Sequence, residues 1–369
     1  MFAREAGGAD TVAPVVRALQ QRHADCLLLA KGPSCDRFAS LELPFQRVPE
    51  YSEATVDKLC SEEWHSKPDL VFTSATSLPS LDMTEKYLWR WAASRCITSA
   101  AILDQWQNYA IRFSGTAADE KLQYLPDYIL VMDQVAFEDA VAEGLPPGRL
   151  RIVGQPALDD LSRMSSLETA RRLRKEIKVS DDTQLVVFVA ESLKADFGNS
   201  LGYDEHTTLR FLVDVLSAYL KAGQANSLHV LVKLHPQNRL DQFAAELTGV
   251  PFPVTVIAQQ YQPIEVLQAA DLVVGMSSIL LVHSIMMDKP TVSLQLGSKK
   301  PSQLIATRVG AIPFLQEEHV AREILMSLLQ GKRRREAYVE RQRQWDLRRG
   351  DSVLRVLGHL ECAIREVNK

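Results

Sequence analysis

The sequence predicts an α/β protein with two domains, each built on a parallel β-sheet that is covered by helices. Its 369 residues exceed one ordinary domain of about 150 residues. Hydrophobic residues make up 46% of the chain and charged residues 24%, which is enough apolar material for two cores. Short β-rich runs alternate with helical segments along nearly the whole length, as in doubly wound sheets.

Ten of these runs are predicted as strands. They are residues 26–30, 70–74, 96–103, 128–132, 151–153, 185–189, 229–234, 254–257, 272–275 and 291–294. Ahead of them, Gly7-Gly8 predicts a turn, and a helix with apolar residues at i, i+3, i+4 and i+7 follows it. Asp10 or Thr11 is expected to cap this helix, with Pro14 in its first turn. Because the segment from Met1 to Arg4 ahead of this turn is very short, we expect part of a first strand to be missing upstream.

The chain divides near a polar stretch that follows Gly154-Gln155-Pro156. Four closely spaced basic residues between Leu161 and Asp182 favour a solvated helix there: Arg171, Arg172, Arg174 and Lys175. We therefore predict an N-terminal domain over residues 1–160 and a C-terminal domain over residues 161–345. Residues 346–369 are predicted as a helical segment that packs back on the N-terminal domain, with a helix capped by Asp351 or Ser352.

Composition excludes several classes of function. A net charge of -4 provides no global basic field for nucleic acid. Five scattered cysteines without a C-x-x-C pair indicate neither a disulfide framework nor a zinc knuckle, and favour a reducing compartment. Walker, G-x-G-x-x-G and H-E-x-x-H motifs are missing, and Asp159-Asp160 and Asp181-Asp182 are expected to be solvated surface. We predict a cytoplasmic protein with no metal, no cofactor and no nucleic-acid partner.

The segment from Lys332 to Arg349 is strongly basic, with eight basic residues against three acidic ones. Tyr338 and Trp345 are interleaved among them. The pattern is compatible with peripheral contact at the inner membrane face or with a phosphorylated acceptor. A solvated helical face accounts for the same pattern and is favoured.

Two strand-end loops in the second half carry groups that suit an anion. Ligands of open parallel sheets bind beyond the carboxyl ends of the strands. Lys233 and His235 end one strand, and Ser277 and Ser278 lie between another strand and a helix. Ammonium, imidazole, hydroxyl and N-terminal helix N–H groups all donate to phosphate oxygens, so a phosphate site is predicted. The alternatives are a solvated lysine, a loop-capping histidine and N-capping serines.

These motifs together resemble a known superfamily. Lys233-x-His235-Pro236, followed by Asp271-Leu-Val-Val-Gly-Met276-Ser277-Ser278 and Asp288-Lys-Pro, resembles the C-terminal domain of GT-B glycosyltransferases. The HP and SS pair is similar to bacterial sialyl-, polysialyl- and glycerophosphate-transferases that use cytidine-activated donors. The layout also resembles UDP-N-acetylglucosamine 2-epimerases. Gly7-Gly8-Ala9-Asp10 resembles the first turn of GT-B N-terminal domains, and residues 153–159 resemble the segment that enters the interdomain linker.

The resemblance implies two Rossmann-like doubly wound domains that face each other across a cleft, with the nucleotide on the C-terminal domain. The implied nucleotide and phosphate residues are Lys233, His235, Ser277, Ser278, Met276, His283 and Glu191. His283 stands where related enzymes often carry a ribose-binding Glu. Glu191 begins a long polar loop that either closes over the donor or stays a surface loop. The Ser-Gly-Gly and Glu-Glu pair of the 2-epimerases has no counterpart here, which favours transfer over epimerisation.

The acceptor is implied to lie on the N-terminal domain. The candidate acceptor-binding residues are Gly7, Gly8, Trp106, Asn108 and Arg112. Asp104 is the first candidate for the general base that deprotonates an acceptor hydroxyl, and Asp10 is the second. The alternative for each carboxylate is a helix N-cap, which is favoured for Asp10, and the alternative for Trp106 is a packing residue. His235 joins the catalytic set as a donor to the leaving phosphate.

We therefore predict a metal-independent glycosyltransferase that moves a sugar from a UDP- or CMP-type donor to a glycan or glycoconjugate in polysaccharide biosynthesis. One alternative is a sugar-nucleotide epimerase or hydrolase of the UDP-N-acetylglucosamine 2-epimerase type, which would consume the donor without an acceptor. The other is a catalytically silent glycan-binding protein, which would bind no nucleotide.

Overall fold

A computed structural model describes residues 1–48, 56, 68–159, 161, 167–223, 227–345 and 350–367. The chain forms two compact units, one of Met1–Asp160 with Arg349–Lys369 and the other of Leu161–Arg348. Each unit contains one sheet, of seven strands in the first unit and five in the second. Every strand pair is parallel.

The first unit has a sheet with the strand order β3-β2-β1-β4-β5-β6-β7. Its strands are β1 Phe2–Ala3, β2 Leu29–Ala30, β3 Gln46–Arg47, β4 Leu70–Thr73, β5 Thr98–Ile102, β6 Tyr128–Val131 and β7 Leu150–Ile152. Its helices are α1 Ala6–Gln21, α2 Pro33–Ser40, α3 Thr84–Ser94, α4 Gln134–Ala142, α5 Pro156–Asp159 and the C-terminal helix Ser352–Val367. Short 3-10 turns lie at Ala110–Phe113, Ala118–Glu120 and Pro147–Arg149.

The second unit has the strand order β10-β9-β8-β11-β12. Its strands are β8 Gln184–Val189, β9 Leu228–Lys233, β10 Val254–Ile257, β11 Leu272–Gly275 and β12 Thr291–Ser293. Its helices are α6 Leu167–Glu176, α7 Leu193–Phe197, α8 Glu205–Lys221, α9 Ala244–Leu247, α10 Pro263–Ala269, α11 Ile279–Met286, α12 Ile305–Arg308, α13 Glu318–Leu329 and α14 Lys332–Gln342. From β8 the chain proceeds to β9 on one side and later to β11 on the other. The carboxyl end of β8 is therefore a topological switch point, where such sheets bind ligands.

The start of the first unit differs from the prediction. Gly7 and Gly8 do not form a turn but lie inside α1, which begins at Ala6, so Asp10 does not cap the helix and Pro14 is interior to it. The glycines let this helix approach the sheet closely. A Cβ on Gly8 would lie 2.6 Å from the Ser74 Cβ, and one on Gly7 would lie 2.7 Å from Asp104 Oδ2. The pair is therefore explained by packing between α1 and the strand ends.

This close approach gives a stability prediction. Gly8→Ala should lower the free energy of unfolding by about 1–3 kcal/mol, because overpacking at Ser74 outweighs the gain in helix propensity. The matched control is Gly148→Ala, since a Cβ there meets no heavy atom within 4 Å. Urea denaturation of both variants measures the difference. A Gly8→Ala protein as stable as the control would show that α1 has room to move.

The linker prediction is partly wrong. Helix α6 forms, but Leu173 and Arg174 are buried rather than solvated. The Arg174 guanidinium donates to the carbonyl of Ala269 at the end of α10 (2.9 Å) and pairs with Asp271 (3.1 Å). A cation at a helix C-terminus is favoured by the helix dipole. One face of α6 is thus part of the second unit's core.

Asp159 is also not the solvated residue we expected. Its carboxylate accepts hydrogen bonds from Ser352 Oγ (2.7 Å) and Val353 N (3.1 Å) at the start of the C-terminal helix. Burial raises the pKa of Asp159 above its usual value, against these bonds. Asp159 therefore caps the helix that Asp351 or Ser352 was predicted to cap. Asp160 lies outside the described residues, whereas Asp181 and Asp182 are exposed as predicted.

The basic segment is only partly described, because residues 346–349 lie outside the described ranges. Helix α14 exposes Lys332, Arg333 and Arg334. Tyr338 is buried and donates its hydroxyl to the carbonyl of Thr291 (3.1 Å), and Trp345 is also buried. The two rings therefore belong to the core rather than to a surface pattern. Within the described ranges, no helix combines the length and apolarity that crossing a membrane requires.

Candidate functional site

Three strand-end loops of the second unit meet at the switch point. The backbone N–H of His235, after β9, donates to Asn238 Oδ1 (2.9 Å), and Asn238 Nδ2 donates to the carbonyl of Glu191, after β8 (3.4 Å). The side chain of Glu191 reaches Ser277, after β11. A continuous line of hydrogen bonds therefore joins the histidine loop to the serine loop.

The Glu191 carboxylate occupies the donors that we predicted for a phosphate. It accepts from the backbone N–H of Met276 (3.2 Å) and of Ser277 (2.7 Å), and from Ser277 Oγ (2.7 Å). Glu191 is 8% exposed, and burial raises its pKa although these hydrogen bonds oppose the rise. We predicted that Glu191 contacts the nucleotide. In this structure its carboxylate instead accepts hydrogen bonds from the protein's own N–H and hydroxyl groups.

Ser278 has a separate role. Its hydroxyl accepts from the N–H of Leu280 (3.2 Å) and caps α11. Ser278 is therefore the N-capping serine that was the alternative to a phosphate ligand. Just upstream, a Cβ on Gly275 would lie 3.3 Å from the Val189 carbonyl, which is tighter than most real contacts. The glycine lets the end of β11 lie close to β8. Glu191 can therefore span the short distance to Ser277.

A buried polar network supports this loop from behind. The carbonyl of Met276 accepts from Ser293 Oγ (2.5 Å) and Gln295 Nε2 (3.2 Å). Gln295 Oε1 accepts from the hydroxyl of Tyr203 (3.1 Å), whose pKa burial and the nearby Glu191 charge raise to about 12. Our sequence reasoning missed these residues. Ser293 ends β12 and Gln295 follows it at the same sheet edge, which is the signal that could have identified them.

The two basic residues of the β9 loop differ in accessibility. Lys233 is buried and its Nζ donates to the carbonyl of Leu234 (2.7 Å), so the predicted free ammonium is not presented at the strand end. Burial lowers the pKa of Lys233. His235 is half-buried, and its Nδ1 accepts from the N–H of Gln237 (3.3 Å), which leaves Nε2–H as a donor. His283 is half-buried on α11, five residues after Ser278.

The first unit places Asp104 in a buried ion pair at the end of β5. Asp104 Oδ1 accepts from Arg112 NH1 (2.9 Å), and the Arg112 side chain is only 4% exposed. Arg112 also donates to the carbonyl of Ala75 after β4. Arg112 therefore orients Asp104 and is not free to bind an acceptor as predicted. Asp104 does not cap a helix.

Asp10 lies near Asp104, on α1. Its carboxylate pairs with Arg37. Burial raises the pKa of Asp10, Arg37 opposes this, and the charge of Asp104 adds to the rise. The two candidate bases thus lie close enough at one edge of the first sheet to influence each other.

Trp106 and Asn108 are placed differently from each other. The Trp106 ring is buried, and its Nε1 donates to Asp133 Oδ2 (2.9 Å), so it packs in the interior, as its alternative predicts, rather than facing an acceptor. Asp133 also caps α4 through the N–H of Ala136 (2.8 Å). Asn108 is exposed, in a left-handed conformation with φ 61°. Of the predicted polar acceptor ligands, Asn108 is the accessible one.

Sequence reasoning also missed a buried charged pair after β4. Glu85 is fully buried on α3 and accepts from Ser74 Oγ and from the N–H of Thr76 (2.5 Å each). Burial raises the pKa of Glu85. Lys86 is also fully buried, and its Nζ has no hydrogen-bond partner among the described residues. A Glu-Lys pair at a helix start normally indicates solvent exposure, so the sequence carried no signal for this burial.

Metal-ligating residues are not gathered in the part of the chain that the structure describes. No group of three or more His, Cys, Asp or Glu side chains there could hold a metal ion.

The similarity of this chain to known proteins lies in its structure and not in a sequence match. No family model matches, and no curated protein sequence matches. A putative UDP-N-acetylglucosamine 2-epimerase from Listeria monocytogenes superposes with a TM-score of 0.69 at 13% identity, over 99% of this chain and 96% of that one. The UDP-GlcNAc 2-epimerase of Neisseria meningitidis bound to UDP-GlcNAc gives 0.69 at 13% identity, over 98% of both chains.

A third similar structure is the HepE protein of Anabaena in complex with UDP-glucose. It gives a TM-score of 0.62 at 12% identity, over 99% of this chain and 98% of that one. At such identities the likeness shows the fold. The predicted two-domain, Rossmann-like architecture is therefore confirmed.

Proposed function

We propose that this protein is an enzyme that acts on a nucleotide-activated sugar, with the phosphates bound at the carboxyl edge of the second sheet. The observation that carries this proposal is the convergence of the Met276 and Ser277 N–H groups and Ser277 Oγ on one carboxylate. Donors that stabilise two carboxylate oxygens at the start of a helix also suit phosphate oxygens. His235 adds a further donor on the neighbouring loop.

An epimerase or hydrolase reaction on a UDP-sugar is better supported than glycosyl transfer. Two similar structures are named as UDP-N-acetylglucosamine 2-epimerases, and one of them holds UDP-GlcNAc. Glycosyl transfer is the second candidate, favoured by the HP and SS motifs at His235-Pro236 and Ser277-Ser278. Under either reaction, fold alone does not choose the chemistry.

Proton transfer is assigned to the first unit. Asp104 is held in place by Arg112, and Asp10 lies nearby as a second carboxylate. A positioned carboxylate can accept a proton from a sugar carbon or hydroxyl as the reaction proceeds. His235 would stabilise the negative charge that develops on the departing phosphate.

A nucleotide screen tests the proposal. A ligand that is present at 100 times its dissociation constant should stabilise the fold by about 2.7 kcal/mol, which thermal denaturation detects. UDP, UDP-GlcNAc, UDP-glucose and CMP are the first probes, and product analysis follows for each that binds. Conversion of the UDP-sugar alone supports the epimerase or hydrolase reaction, and conversion only with a glycan supports transfer. Stabilisation by no nucleotide would contradict the proposed function.

A further inference from the structure

Glu191 is a buried carboxylate for which the described part of the chain provides no cationic partner. Among the residues that the structure describes, no Lys, Arg or His forms an ion pair with it. The lysine closest in sequence, Lys194, pairs instead with Asp204 (3.2 Å), and Lys233 turns to a carbonyl. Buried charges are normally paired, because desolvation is costly. The Glu191 charge is therefore held by hydrogen bonds from the backbone N–H groups of Met276, Ser277 and Ser278 and from the Ser277 hydroxyl.

The same donors cannot serve two anions. A phosphate that accepts from Ser277 would lie within a few ångströms of the Glu191 carboxylate, and two like charges at that distance in a buried site repel strongly. One of the two groups must therefore leave or lose its charge.

We propose that Glu191 is an internal competitor for the phosphate site, so that the nucleotide binds to Ser277 only when it displaces the Glu191 carboxylate. This inference rests on the proposed function. Rotation of the side chain would leave the backbone in place, because two other hydrogen bonds hold the backbone of this loop. Asn238 holds the carbonyl of Glu191 (3.4 Å), and Glu205 Oε2 accepts from the N–H of Lys194 (3.0 Å).

The competition should depend on pH. Burial raises the pKa of Glu191, so its carboxyl takes up a proton more readily as the pH falls and then competes less. The titratable groups on the segments next to its loop are Lys233 at the end of β9, His235 after it, Tyr203 and Asp204 ahead of α8, and Glu205 on that helix. Tyr203, with a pKa of about 12, stays neutral between pH 6 and 8. A variant without the Glu191 carboxyl must therefore separate this effect from any other pH dependence of binding.

Calorimetric titration with UDP-GlcNAc at pH 6 and pH 8 makes this separation. At pH 8, Glu191→Gln should bind about tenfold more tightly than the natural protein, and Glu191→Ala should bind at least as tightly as Glu191→Gln. Both variants should show a smaller gain in affinity between pH 8 and pH 6 than the natural protein does, because the Glu191 carboxyl that takes up the proton is missing. The control is Glu205→Gln, because Glu205 is a buried carboxylate on α8 that accepts from the N–H of Lys194 rather than from Ser277 among the described residues, and glutamine keeps that acceptor oxygen. It should behave like the natural protein.

The outcomes distinguish the two proposals. Equal or weaker binding by both Glu191 variants at pH 8 would overturn the competition and leave the proposed function standing. Binding of UDP-GlcNAc by neither the natural protein nor the variants would overturn the UDP-sugar assignment and this inference with it.

Discussion

Substitution of His235 by alanine is expected to lower the turnover of a nucleotide-sugar substrate by about 100-fold or more. Of Lys233 and His235, His235 is the accessible donor, since Lys233 is buried with its ammonium against a carbonyl. Its Nδ1 is engaged by Gln237 N–H, which fixes the ring and leaves Nε2–H to donate. A donor at a departing phosphate contributes most in the transition state, where charge develops.

Initial rates at saturating substrate measure this effect, and circular dichroism establishes that the variant is folded. His23→Asn is a suitable control, because His23 is exposed in the first unit and its left-handed backbone is readily adopted by asparagine. Turnover by His235→Ala close to that of the control would remove His235 from the site.

The second large effect concerns stability. Arg112→Ala should lower the free energy of unfolding by about 3–5 kcal/mol, because it leaves the Asp104 carboxylate buried without its counter-ion. The substitution also removes the donor to the carbonyl of Ala75. The loss should be larger than for any single exposed ion pair of this chain.

Urea denaturation checks this result against an exposed pair. Arg239→Ala breaks an ion pair with Asp241 in which both side chains are largely exposed, so its effect should stay below about 1 kcal/mol. The double variant Arg112→Ala with Asp104→Ala should recover part of the stability, since no unpaired charge is left. A loss of under 1 kcal/mol for Arg112→Ala alone would contradict a buried, structurally required pair.

The two sheets were predictable because most strands are apolar runs with turn residues between them. The exceptions are β1 and β3, which are two residues long each and too short to show a period. The Gly7-Gly8 pair was misread for a different reason. Sequence alone does not distinguish a glycine needed for a turn from one needed for close packing of a helix on Ser74.

The position of the candidate site was predictable to the level of the sheet edge. Parallel strands bring their carboxyl ends together, so His235 and Ser277 had to lie on one edge. Which side chains face outward was not predictable, and Lys233, Trp106 and Arg112 turn out to be buried. The Glu191–Ser277 contact joins residues 86 positions apart and depends on side-chain geometry that no local pattern encodes.

A crystal structure of the protein with UDP bound shows directly whether the phosphates replace Glu191 at Ser277. We expect phosphate oxygens within hydrogen-bond distance of His235 and of the Ser277 N–H and hydroxyl, with the Glu191 side chain turned away from Ser277. A nucleotide located elsewhere on the chain, with the Glu191 carboxylate still bound to Ser277, would contradict it.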